Sequence, residues 1–356
     1  MMRAVHYFPL EICLVIADFL VASDLLHLVQ AIPALTPLLS PTRLQCQDVN
    51  GDTVLHLLAA NGLDSHITPI ADDICQSNVG NYYGGMTPLH MAVANGHYST
   101  TALLLKMGAD ASIRNNKNEI PLHLACRTRS PASDALVNLL LDYGADAATA
   151  NNDGFTPLHE AVIAHQSPAV LRKLIQAGAD VNAQAGRLRW TPLFYAIRFS
   201  QETPDELLAS SGGEPASSNG SANRGVEIVQ TLLKAKPDLT IRDREGRTVL
   251  IQMARIGANE VLRLLLRAGV DLEDGDNQGR DALCTAAIHG HRSTAKRLMR
   301  AGACLWIRDD NCRNAAHLAH WYGHEDLAYM ILNAQRRRPW RYCCEKFWYR
   351  DKDFLS

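Results

Sequence analysis

The chain of 356 residues is short of the features that most chemistries require. No glycine-rich phosphate loop, no pair of metal-ligand clusters at zinc spacing and no nucleophile–base pair stands outside its repeating positions, so nothing points to an enzyme or a cofactor. Its nine cysteines are an odd and scattered set without a CxxC, which excludes a disulfide framework and suits the reducing cytosol or nucleus. No net charge dominates. With 35 basic and 37 acidic residues the formal charge is −2, which argues against nucleic acid as the main partner. An uncharged apolar run is missing too. The stretch from Leu10 to Ile32 is interrupted by Glu11, Asp18 and Asp24, so it is neither a signal-peptide core nor a membrane span.

What the chain has is a repeat. Thr87-Pro88-Leu89-His90, Ile120-Pro121-Leu122-His123, Thr156-Pro157-Leu158-His159 and Thr191-Pro192-Leu193-Phe194 are four copies of one signature. Weaker copies begin at Thr53, Thr248, Asp281 and Asn314. Successive spacings are 34, 33, 36, 35, 57, 33 and 33 residues. Each copy reads as a helix start: Thr87 offers a capping oxygen and Pro88 suits the first helical position. Leu89, Ala92 and Val93 follow at helical spacing, and a second helix runs to Gly108, a left-handed stop repeated at Gly144, Gly178, Gly269 and Gly302. Asp110, Asn115 and Asn116 suit a tight hairpin before the next copy. Where proline is lost, Thr248, Asp281 and Asn314 keep a capping oxygen.

Over residues 46–335 this resembles the ankyrin repeat family. The resemblance implies an all-α solenoid of about eight helix-turn-helix repeats with β-hairpin-like tips, and a binding face made of those tips and the first helices. It also implies a structural role for His90, His123 and His159, which bond the hairpin turns. His289, His291 and His317 fall at repeat-fixed positions as well, which removes a metal reading near Cys304 and Cys312. The first repeat departs from the pattern after Gly62. The fifth carries 24 extra residues, serine- and glycine-rich, expected as a disordered insertion at about 200–224 before a second helix that resumes at Val226.

Residues 1–45 form a helical head without the signature. Phe8-Pro9-Leu10-Glu11-Ile12, Ile16, Leu20 and Asp24-Leu25 resemble an F-box, with Phe8 at the usual leucine position and no recognisable later part after Pro33. That resemblance implies docking on a Skp-family adaptor of a cullin–RING ubiquitin ligase through Pro9, Leu10, Ile12, Ile16, Leu20 and Leu25. The combination with an ankyrin array is similar to a type abundant in filamentous fungi. The other reading of the same helices is a cap over the first repeat.

Aligned on the signature, the later repeats place Arg187, Arg189, Trp190, Arg198, Phe199 and Arg244 at tips or first-helix ends, followed by Arg255, Trp321 and Tyr322. Arg247, Arg280 and Arg313 precede the signature, a place where arginine is often only solvated. Earlier repeats offer Tyr82, Tyr83, Met86, Lys117, Arg127 and Phe155. Arginine and large aromatics dominate interface energetics, so the expectation is an acidic peptide or protein surface as partner. The tail, 336–356, mixes base and aromatic. Its readings are a nuclear-import signal, a lipid contact with acylated Cys343-Cys344, a nucleic-acid contact, or Trp340, Phe347 and Trp348 folding back over the last repeat.

Overall fold

The computed structural model describes residues 17, 20–33, 38, 46–68, 78–82, 84–200 and 221–337. The expected adaptor contacts Pro9, Leu10, Ile12 and Ile16 lie outside these, as do Tyr83, most of the insertion and the tail from 338. The contacts divide into two units, one ending at Asp180 and one beginning at Val181.

The first unit holds α1 (Ala22–Ala31), α2 (Val54–Ala60), α3 (Asp64–Ile67), α4 (Pro88–Ala94), α5 (Tyr98–Lys106), α6 (Pro121–Arg127), α7 (Ser133–Asp142), α8 (Pro157–Ile163) and α9 (Pro168–Gln176). The second holds α10 (Pro192–Phe199), α11 (Ser221–Lys234), α12 (Val249–Ile256), α13 (Asn259–Ala268), α14 (Ala282–Ile288), α15 (Arg292–Ala301), α16 (Ala315–Trp321) and α17 (Glu325–Arg337). All these elements are helical, and the only β pairing among the described residues is the isolated bridges Gln47–Thr53, Ala185–Trp190 and Arg308–Asn314 at hairpin tips.

Each first helix starts where the signature predicts. Pro88, Pro121, Pro157 and Pro192 open α4, α6, α8 and α10. Thr87 accepts the His90 N–H, and Asp281 and Asn314 do the same at their own helices; Thr248 makes no side-chain cap. The glycine stops hold, with Gly108, Gly144, Gly178, Gly269 and Gly302 all at positive φ. Gly257 needs its hydrogen for a second reason: at φ +82°, a Cβ there would come within 2.7 Å of the His291 ring.

Stacking makes the core. Leu89, Leu122, Leu158 and Leu250 are buried between first helices of neighbouring repeats, with Leu104, Leu140, Leu174 and Leu265 beneath them on the second helices. Burying side chains of this size contributes about 1.5–3 kcal/mol each. A hydrogen-bond ladder runs beside it. Nε2 of His56, His90 and His123 reaches the carbonyl oxygen one repeat on, of Met86, Glu119 and Phe155, at 2.9–3.1 Å.

The irregular places are local. In the first repeat the second helix shrinks to the four residues of α3. In the fifth, α11 begins at Ser221, five residues before the expected Val226. Gly225 packs directly on Ser200, where a Cβ would lie 2.9 Å from the Ser200 Cα, so the insertion leaves and returns at one point. At the head, α1 starts at Ala22 with Asp24 in its first turn and packs on α2. Leu25 is fully buried there and Leu20 half-buried. The expected adaptor contact Leu25 therefore has its side chain covered in this structure.

Candidate protein-interaction surface

The hairpin tips are built on one acidic or amide residue. In repeats six to eight this is Asp243, Asp276 and Asp309, each taking two backbone N–H bonds on Oδ1. The other oxygen binds an arginine four residues on, at 2.7 Å for Arg247 and 2.8 Å for Arg280 and Arg313. These arginines are therefore tied to their own hairpins, and Arg247 is only 5% exposed. Burial alone would raise the Asp309 carboxyl, but the Arg313 hydrogen bonds win and hold it below its ordinary range.

The other expected contacts of the second unit divide. Trp190 is buried, lying over Phe194 at 6.2 Å and edge-on to Tyr195 at 5.2 Å, and donates its indole N–H to Asp243 at 3.1 Å. Its ring and its indole N–H are thus both engaged, by its own first helix and by the next hairpin. Phe199 is half-buried and stacks on Tyr195 at 6.3 Å. Arg187, Arg189, Arg198, Arg244 and Arg255 are exposed. Arg189 is held by Gln184 Oε1 at 2.8 Å, with its backbone at φ +55°. Trp321 and Tyr322 stand 73% and 50% exposed.

The repeat register lines these residues up. Arg198, Arg255, Ile288 and Trp321 each lie seven residues after their signature's first residue. The helices that carry them, α10, α12, α14 and α16, pack in that order. They form one row of two cations, an apolar side chain and a tryptophan.

The first unit has a cleft of its own, about 470 Å³ in volume, lined by Lys117, Asn152, Asp153, Phe155 and Ile163 around an ion triad. Arg127 grips Glu160 through Nε at 3.0 Å and Nη2 at 2.7 Å, and Nη2 also bonds Glu119. Both carboxylates are buried, while the Arg127 side chain lining the cleft is 42% exposed. Burial opposes ionisation of Glu119, yet bonds from Arg127 and Asn115 outweigh it and lower its pKa. Sequence reading named Arg127 but missed both acids. Their signal was positional, since Glu119 immediately precedes one signature and Glu160 immediately follows the next.

The signature histidines are held by hydrogen bonds on both ring nitrogens. A carbonyl can only accept, so Nε2 donates and Nδ1 takes the backbone N–H of Thr53, Thr87 or Ile120 at 3.2 Å. Burial lowers His56 and His123 and brings His90 to about 4, so the rings stay neutral at pH 7. Burial pushes the Cys126 and Cys284 thiols up, away from nucleophilic thiolate. Among the described residues no cluster of His, Cys, Asp or Glu fits a metal ion, and no helix is long and apolar enough to cross a membrane.

The family model for ankyrin repeats, three copies of it, matches residues 25–115, 103–185 and 216–309, more than two thirds of the chain. The chain belongs to the ankyrin-repeat family. Among solved structures, the ankyrin repeat domain of Bcl-3, described as a member of the IkappaB protein family, aligns with a TM-score of 0.56 at 25% identity, over 70% of this chain and 99% of that one. The mouse ankyrin repeat and SOCS box protein 16 is 29% identical over 43% of this chain. Mouse NF-kappa-B inhibitor alpha is 32% identical over 28% of it. The chain spans 27% and 32% of these two relatives' lengths. Ankyrin membership also gives the Asp–Arg hairpins and the histidine ladder their place: both join one repeat to itself or to the next.

Proposed function

We propose that this ankyrin array binds another protein through its hairpin tips and first-helix ends and carries no catalysis of its own. The observation that bears most weight is the row Arg198, Arg255, Ile288 and Trp321, which presents exposed cations and an exposed tryptophan from four packed helices. An acidic partner surface suits it, with Arg187, Arg189, Arg244 and Tyr322 at its border. Reversing Arg189, Arg198 and Arg255 to Glu tests this. The partner retained by the parent chain should be lost by a variant whose helical content is unchanged, and undiminished capture refutes the assignment.

Two fuller readings attach to the head. In one, Pro9, Leu10, Ile12, Ile16, Leu20 and Leu25 engage a Skp-family adaptor, making the chain a substrate receptor of a cullin–RING ubiquitin ligase. Its support is the Phe8–Ile12 sequence match. In the other, the chain is a non-catalytic scaffold or inhibitor and α1 is a cap. Burial of Leu25 against α2 supports the cap, as does a family match that starts at residue 25, and the similarity to a relative named as an inhibitor supports the second role. We favour the cap for α1. Co-purification with a Skp-family adaptor, beside a Pro9→Ala, Ile12→Asp variant, separates the two: adaptor retained by the parent and lost by the variant makes it a ligase receptor.

A further inference from the structure

The second helices carry charge that the hairpins do not use. In α15, Arg292, Lys296, Arg297 and Arg300 stand without any acidic residue in the helix. The first, second and fourth are exposed, and none has a side-chain partner among the described residues. This is not the pattern of every second helix. In α7 there is no basic residue and Asp142 ends the helix, while in α13 Arg263 pairs with Glu260. Beyond the second helix, other repeats place an acid at Asp110, Asp146, Asp180, Asp238 and Asp271; the repeat of α15 has Cys304 instead. The helix dipole accounts for a cation in the last turn, Arg300, but disfavours Arg292 at the first position. In the next repeat, the register position of Lys296 is taken by Tyr329, 65% exposed, with Leu332 one turn on at 44%.

We infer that the α15 face, with Tyr329 and Leu332 beside it, docks on an anionic lipid surface. Clustered Lys and Arg draw such a surface by its negative potential, and a neighbouring exposed tyrosine and leucine suit the headgroup region better than an acidic peptide would need. This contact uses the opposite helix of each repeat from the protein-binding row, so both can be occupied together.

Flotation of the full chain with vesicles tests it. The chain should float with phosphatidylcholine vesicles containing phosphatidylserine, not with phosphatidylcholine alone, and should be released by high salt. The exposed double substitution Lys296→Glu, Arg300→Glu should weaken binding by about thirtyfold or more with unchanged circular dichroism. The neutral pair Lys296→Gln, Arg300→Gln should fall between. Failure to float, flotation undiminished in the charge-reversed variant, or preference for soluble poly-glutamate over vesicles would each overturn the inference.

Discussion

Trp190 donates its indole N–H to Asp243 at 3.1 Å across the 57-residue fifth repeat, and the same carboxylate oxygen receives Arg247 at 2.7 Å. One buried anion thus fastens the hairpin before the insertion to the hairpin after it. With Arg247 nearly as buried as its partner, removing the anion leaves that cation with only the Glu245 carboxylate at 2.6 Å, which is itself more than half exposed. Asp243→Ala should cost about 3–5 kcal/mol in urea unfolding, and adding Arg247→Met should restore much of it. Equal stability of parent and single variant would contradict this.

The insertion itself should be dispensable for folding. Because Gly225 returns onto Ser200, a short glycine–serine bridge replacing residues 203–220 changes only loop closure, a term of under about 1 kcal/mol. Thermal unfolding of that deletion checks it, and a large drop in midpoint would show that the segment packs.

Acid should loosen the first unit. The pKa of His90 is depressed from 6.5 to about 4, so the unfolded chain binds its proton first as pH falls. Stability is fully present above about pH 6.5 and declines toward pH 4, with about 2 kcal/mol lost at pH 5 from this residue alone. His56 and His123 shift the same way. Hydrogen exchange over α4 and α6 at pH 7 and pH 5, corrected for intrinsic rate, should show protection falling, and His90→Gln should flatten the change.

Asp281 should do the reverse. It takes the signature's threonine position, fully buried, with Oδ1 on the Cys284 N–H at 2.7 Å and no partner for Oδ2, and burial raises its pKa to about 6. A raised carboxyl favours folding only while protonated, so the fold loses stability as pH climbs from 3.8 to about 6 and stays lowered above. Asp281→Thr, which keeps a capping oxygen without the charge, should gain about 3 kcal/mol at pH 7.5 and little below pH 4. No gain at pH 7.5 would contradict the burial account.

Much of this was legible in the sequence because the repeat is written in local chemistry. Thr87-Pro88 starts a helix and Gly108 stops one wherever they stand, so the helix order and the hairpin positions could be read from spacing alone. Pairings across space could not be read so easily. Arg247, Arg280 and Arg313 look like free surface cations until Asp243, Asp276 and Asp309 are seen four residues before them, and Trp190 looks like a surface anchor until it meets Asp243 from 53 residues away. The apolar pattern of α1 names Leu25 as a contact residue but not the neighbour it contacts. The structure shows Leu25 buried and α1 packed on α2.

The central claim is that the tips and first-helix ends are the protein-binding face, and site-specific photo-crosslinking tests it most directly. Crosslinkers placed at Arg198, Arg255 and Tyr322 should capture one and the same protein, while a crosslinker at Lys234 on the second helix of the fifth repeat should not. Capture from Lys234 with none from the other three positions would contradict the account.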